Sequence, residues 1–494
     1  MRDTSHPPTG LAIWSAIAHP LSLLVGVVSV SMILTAGVGL LMGSAEGAAN
    51  MTNSGLIAAG LAALLFMVGR RRKAHIMDRR EALLMVAVAW VVVGIVGAIP
   101  FVMGAGFSLP DAIFESVSGF TTTGATVMTE IESALDPALH FWRVLMHWLG
   151  GVGIVVLFVA VFPALGVGGR HLFYTEAAGP KSKGISPRIK ERSSILWRVY
   201  VVITLVEIGA LMVTGLSLYQ ASIHALSTMG TGGFSTLNGS LGGFQNEAAE
   251  WVVLIFMLIA GTNFMLFYEA KSEGIKVFIK HAETKVYLYL FGFATLACAW
   301  SIYGQTHGVI DTVRDAGFQV AAVMTTTGFG TNDFELWPAF SKLILVALFF
   351  VGGSSGSTAG GMKVYRVIVL VKAGVAELRR SFRPHLVKPL RIGGSVVSKE
   401  GVREVFTFCG MFAITVIVGA IVVAALDNYD GTTSVMASLA CVANVGPGLG
   451  LVGPTDNFGL FSGSTKLFLS TLMILGRLEI LAVAALFLPS FWRR

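Results

Sequence analysis

Charge is what this sequence has least of. Only 13% of its 494 residues are Asp, Glu, Lys or Arg, where a soluble domain carries about 25%, which excludes an ordinary solvated globular surface. Cysteine is nearly absent. Cys298, Cys409 and Cys441 all sit in apolar runs without metal or redox spacing, so they read as small buried hydrophobes and exclude a disulfide framework. No H-E-x-x-H stretch occurs, and the Gly352–Gly361 run lacks a Gly-Lys-Ser/Thr ending, which excludes a zincin and a phosphate-cradling loop. Gly352-Gly353-Ser354-Ser355-Gly356 fits the G-x-S-x-G pattern, but an apolar helix precedes it and His385 is the only later histidine. It is therefore no nucleophile elbow. With no His, Asp or Cys clustered in the apolar runs, the chain is expected not to be an enzyme. Polar first residues followed by a long apolar run predict no cleavable signal.

Apolar residues are what is abundant, at 54% of the chain with a mean hydropathy of +0.75. Apolar segments fall at 11–42, 55–69, 82–100, 141–165, 195–218, 251–268, 284–303, 339–374, 402–426 and 465–492. Most are near the roughly 20 residues that cross a bilayer, and the chain reads as a polytopic membrane protein. Of 35 Lys and Arg, 27 lie in four connectors at 70–80, 166–198, 269–285 and 361–403. The alternate connectors, 101–140, 219–250, 304–338 and 427–465, hold only Arg314 against fourteen Asp and Glu. This positive-inside pattern predicts both termini in the cytoplasm and acidic connectors outside. It turns the net charge of +7 toward membrane lipids rather than nucleic acid.

Each external connector contains a short semi-apolar stretch and then a Thr/Gly-rich loop. The loops are Thr121–Thr126, Thr231–Thr236, Thr325–Thr331 and Asn444–Gly448. Aligned on Gly124, Gly233, Gly328 and Gly446, they bring Phe114-Glu115, Ile223-His224 and Phe318-Gln319 into register. Helix, half-helix, loop, helix is thus an internal repeat. The expected fold is all-α integral membrane, with four pseudo-repeated helix–pore-loop–helix units around a central pore plus two extra N-terminal helices. Boundaries are expected at 1–80 for the helix pair, then 81–170, 171–270, 271–400 and 401–494 for the repeats. Irregular backbone at membrane depth must line a wet cavity or be enclosed by protein, and carbonyl and hydroxyl oxygens can replace the water of a dehydrated cation. The candidate cation ligands are Thr122, Thr123, Gly124, Thr231, Gly232, Gly233, Thr326, Thr327, Gly328, Asn444, Val445 and Gly446. No carboxylate lies in these stretches, which disfavours a divalent ion. Glu115, His224 and Gln319 are expected to brace the loops from behind.

Four such units with one central glycine each resemble the TrkH/TrkG/KtrB superfamily of potassium transporters, related to plant HKT proteins. Asn444-Val445-Gly446-Pro447-Gly448-Leu449-Gly450, the tail Gly476-Arg477-Leu478-Glu479-Ile480 and the extra N-terminal pair are similar to its TrkH branch. The resemblance implies K+ as the transported ion, a homodimer with one pore per protomer, and location in a bacterial cytoplasmic membrane. It also implies a cytosolic TrkA-like regulatory subunit that carries the nucleotide, and no organic cofactor on this chain. Glycine rather than serine at position 124 goes, in that family, with potassium preference. A channel-like subunit of an ATP-driven potassium pump shares the repeat plan and is the alternative.

Two features break the symmetry. The second helix of the third repeat is interrupted by Gly352, Gly353, Ser354, Ser355, Gly356, Ser357, Thr358, Ala359, Gly360 and Gly361. Five glycines at about 1 kcal/mol each do not hold a helix; the run is a passive kink or, as the family implies, an intramembrane gate. In the other repeats the second helix is expected to be continuous. Arg477, about 18 Å into the last helix at 1.5 Å per residue, must face water or a partner. Either it faces the pore as a barrier, or it pairs with Glu207. Arg143 and His147, near the outer end of their helix, are expected to snorkel.

Overall fold

The computed structural model describes residues 10–70, 79–156, 187–305, 308–384 and 389–492. Residues 71–78 and 157–186, which hold parts of two of the four basic connectors, lie outside them. Among the described residues six helices are long and apolar enough to cross a membrane, or eight if each of two bent pairs is one span.

Two N-terminal helices, Gly10–Leu41 and Ala45–Gly69, form an antiparallel hairpin. The second is longer than the apolar stretch at 55–69 suggests. Ser44 caps it by accepting from Gly47 N–H (3.1 Å), and the ten residues before Gly55 join the helix although they are too polar to register as a span. Asn50 is accommodated by donating to the Pro100 carbonyl (3.0 Å).

Helix, short helix, loop and helix then recur four times. The outer helices are Arg79–Gly104, Pro187–Val213, Ala282–Ile302 and Lys399–Asp427, and the short pore helices are Leu109–Phe120, Leu218–Gly230, Val309–Met324 and Gly431–Ala443. Three pore helices start at a capping residue, Ser108, Ser217 or Asp430. Asp430 accepts from Thr432 and Thr433 N–H (2.9 and 3.1 Å), and the hydrogen bonds from Thr433 hold its carboxyl below the ordinary value. Such caps satisfy the orphan amides of a helix start. The middle of each pore helix is buried on nearly all sides, as Phe114, Ile223, Phe318 and Ala437 are.

The inner helices depart from expectation. The first, Pro137–Val156, is continuous where described. The second breaks between Ala260 and Phe264 with an 89° bend, and the fourth between Arg477 and Ile480 with a 111° bend. The third breaks over the whole stretch from Phe349 to Val364. Continuity in the second and fourth repeats is therefore corrected. Gly261 would bring a side chain against Tyr287 Oη and Thr325, and Glu479 sits at φ 58°, a left-handed position that ends a helix. Neither break carries the run of glycines that made the third visible in sequence. One small β-ladder was also not expected: Arg391–Ile392 pairs antiparallel with Ser395–Val396 across Gly393-Gly394, both at positive φ, as a two-residue hairpin requires.

Candidate functional site

The four loops begin as four copies of one helix ending. Thr122, Thr231, Thr326 and Asn444 have φ of 53, 55, 55 and 54°. Each donates its N–H three residues back, to Gly119, Thr228, Val323 and Cys441. The next residue, Thr123, Gly232, Thr327 or Val445, donates five residues back, to Ser118, Ser227, Ala322 and Ala440 (2.8 to 3.0 Å). This bond pair is the Schellman ending, whose left-handed residue is usually glycine. Here it is threonine three times and asparagine once, and the glycine follows two residues later. Gly124, Gly233, Gly328 and Gly446 lie at φ 79, 78, 78 and 95°, which confirms the alignment on Gly233 rather than Gly232.

These glycines also have no room for a side chain, and the obstacles form a ring. A Cβ on Gly124 would strike the carbonyl oxygen of Gly232; on Gly233, that of Thr327; on Gly328, that of Val445; on Gly446, that of Thr123. Each obstacle belongs to the residue before the glycine of the next loop, and the fourth returns to the first. Eight of the twelve sequence-predicted ligand residues, the four glycines and the residue before each, thus meet in one closed ring, and Thr122, Thr231, Thr326 and Asn444 directly precede them in the chain. A cavity lined by Gly124, Gly233, Gly328 and Gly446 opens beside it, with Asp456, Asn457 and Asn238 on its walls. No group of His, Cys, Asp or Glu suited to a metal ion occurs among the described residues.

The threonine hydroxyls act as braces. Thr121 Oγ1 bonds Thr123 Oγ1 (2.8 Å), and Thr325 Oγ1 bonds Thr327 Oγ1 (2.7 Å). The second loop has Gly230 and Gly232 at these positions because the His147 ring and carbonyl fill the space. In the fourth, Asn444 Nδ2 donates to Thr123 Oγ1 (2.9 Å) and the Met473 carbonyl (3.0 Å). Behind the glycines, Glu115 accepts from Thr126 Oγ1 and Val127 N–H (3.1 Å each). His224 Nε2 shares a bond with Ser235 Oγ (3.0 Å), and the Gln319 amide, oriented with its oxygen inward, accepts from Thr331 N–H (3.0 Å).

Arg143 and His147 do not snorkel. Arg143 is 1% exposed and pairs with Glu115 at 2.6 Å. It also donates to the Ser235 carbonyl (3.1 Å) and lies over the Phe234 ring (3.5 Å). The buried His147 ring stacks on Phe234 at 4.1 Å and bonds Ser227 Oγ. Their depth along the helix suggested solvent; the pore helices and loops packed outside them make it interior.

Directly against the ring lies the interrupted stretch of the third repeat. Gly360 N–H donates to Thr326 Oγ1 (2.6 Å) and Gly361 N–H to the Ala443 carbonyl (3.0 Å). Ser354 N–H donates to the Gly261 carbonyl (2.8 Å), Phe264 N–H to that of Gly356 (3.2 Å), and Thr358 Oγ1 to that of Ala260 (3.2 Å). The break of the second repeat is thereby the partner of the break in the third. Arg477 completes the cluster, donating to the carbonyls of Thr358 (2.8 Å) and Gly150 (3.4 Å). No ion pair joins it to Glu207 among the described residues, so of the two sequence readings the pairing with Glu207 is overturned. Glu283, whose Oε1 accepts from both Ser355 N–H (2.7 Å) and Tyr365 N–H (3.1 Å), was not singled out by the sequence. Nor was the Arg366–Glu479 pair beneath Arg477.

The residue runs 48–300 and 305–494 match the family described as TrkH: Cation transport protein. The chain is 36% identical over 488 residues, 97% of its own length and 99% of the relative's, to the Trk system potassium uptake protein TrkH of Salmonella typhimurium. It is 32% identical over 422 residues, 84% and 86% of the two lengths, to the Trk system potassium uptake protein TrkG of Escherichia coli K12. The crystal structure of the potassium transporter TrkH from Vibrio parahaemolyticus superposes with a TM-score of 0.89 at 32% identity, covering 97% of this chain and 99% of that one.

Proposed function

This chain belongs to the TrkH family of cation transport proteins, and from that footing we propose that it takes up potassium through a gated, channel-like pore. The observation that carries the reading is the closed ring of four loops in which every glycine faces a neighbouring loop's carbonyl. Backbone carbonyls offer a monovalent cation a substitute for its water. Four pore helices end at the ring, and a helix C-terminus favours positive charge. Acidic residues outnumber basic ones in the external connectors, a field that draws cations to the mouth.

Selectivity is assigned to the ring and gating to 352–361 and Arg477. The pore works in a bacterial cytoplasmic membrane, as a homodimer, under a cytosolic TrkA-like subunit that binds the nucleotide. The whole-length match to potassium uptake proteins favours this over the pump-subunit alternative. The test is cation flux into vesicles holding purified protein. Gly328→Ala puts a Cβ against the Val445 carbonyl at a positive φ. Strain of roughly 1–3 kcal/mol should cut rubidium uptake or the rubidium-over-sodium preference by about tenfold. Unchanged uptake of both ions would remove the filter assignment.

A further inference from the structure

The residue that begins the inner half-helix of the third repeat, Lys363, has no role in the account so far. It is 4% exposed and is held at φ 72°, a conformation in which a lysine is out of place and a glycine is not. Its Nζ reaches back four residues to donate to the Ala359 carbonyl. The preceding carbonyl, Thr358, is the one that Arg477 holds. Two consecutive carbonyls of the interrupted stretch are therefore occupied by two side-chain cations. The two amides that follow, Gly360 and Gly361, are tied to the filter loop and a pore helix, through Thr326 and Ala443. Below, Glu283 pins both ends of the arch by accepting from Ser355 and Tyr365.

Resting on the gate reading above, we infer that Lys363 is a second latch of the gate. Its ammonium is a tethered cation that holds the Ala359 carbonyl and keeps the 358–361 arch pressed against the ring. Arg366 does not share this duty: its guanidinium pairs with Glu479 and lies 3.9 Å over Phe408. What the position asks for is a side-chain cation, which makes a charge-assisted hydrogen bond to that carbonyl. Its backbone strain is then a mark of selection for that contact, since strained residues persist where surrounding structure over-determines them.

The experiment is potassium flux without the regulatory subunit, in vesicles of wild-type protein and the Lys363→Gly, Lys363→Arg and Arg477→Ala variants. Lys363→Gly removes the ammonium while relieving the positive φ, so its folding is not at risk from strain. Losing one charge-assisted hydrogen bond from a two-state closure should raise basal flux about tenfold, and Lys363→Arg, which keeps a cation, should stay within about twofold of wild type. A merely structural lysine would not show that rescue. If Arg477→Ala raises basal flux and Lys363→Gly does not, the latch is overturned and the gate reading stands. If monodisperse preparations of neither variant raise it, both fall.

Discussion

Thr122, Thr231 and Thr326 hold a left-handed backbone that β-branched residues rarely adopt. Each pays for its strain with hydrogen bonds to the pore helix behind it. The fourth loop relaxes this with Asn444, a residue more tolerant of positive φ. Its amide gives the first and fourth loops a direct link through Thr123. Glu115 and Arg143 show the same dependence on neighbours. Buried together at 0% and 1% exposure, they are tolerable only as a pair. Arg143→Met leaves a carboxylate without its partner and should destabilise the protein by about 3–5 kcal/mol. Thermal unfolding in detergent measures this, and adding Glu115→Gln should recover part of the loss; an additive double variant would mean that the pair does not couple.

Among the elements, the breaks matter more than the helices. Three inner helices are interrupted, at 261–263, 350–363 and 478–479, and the breaks of the second and third repeats satisfy each other's backbone groups. Arg477, at the break of the fourth repeat, binds the stretch of the third. Irregular backbone is tolerable at that depth because it is enclosed. Deleting Ser357–Ala359 removes the carbonyls that Arg477 and Lys363 hold. It should raise regulator-free potassium flux by about tenfold, on the same hydrogen-bond arithmetic; a wild-type closed-state leak from well-folded protein would count against the gate. The sequence revealed only the break made of glycines. The other two are made by a left-handed Glu479 and a tightly packed Gly261, which no composition signal announces.

At the scale of the whole molecule, polar links join each repeat to the next. Asn238 Nδ2 donates to Glu130 Oε2 (2.8 Å) between the first and second repeats. Arg314 meets Glu250 (3.0 Å) between the second and third, and Glu335 accepts from Gly450 N–H between the third and fourth. Lys466 and Asp111, at 2.6 Å and partly buried, close the circle from fourth to first. Burial raises the Asp315 carboxyl above its ordinary value beside Arg314. Lys466→Met opens the circle at its one chain-distant joint, and should lower stability by about 1–3 kcal/mol, between the values for exposed and buried pairs. Unfolding temperature in detergent reads this; an unshifted midpoint would show the joint to be idle.

Periodicity and charge were local signals, and they were enough for the all-α membrane fold, for the four loops and for the glycines that align them. A residue's hydropathy and its spacing from a glycine do not depend on what packs against it. What the tertiary structure alone decided was which groups meet and which are enclosed. Gly124 faces Gly232, Arg477 takes the Thr358 carbonyl rather than Glu207, Arg143 is interior rather than wet, and Lys363 belongs to the arch rather than to a basic connector. The longest of those pairings, Arg477 with Thr358, joins residues 119 positions apart. Each follows from a bilayer interior that leaves a buried polar group no water, so that it must find its partner wherever the fold brings one.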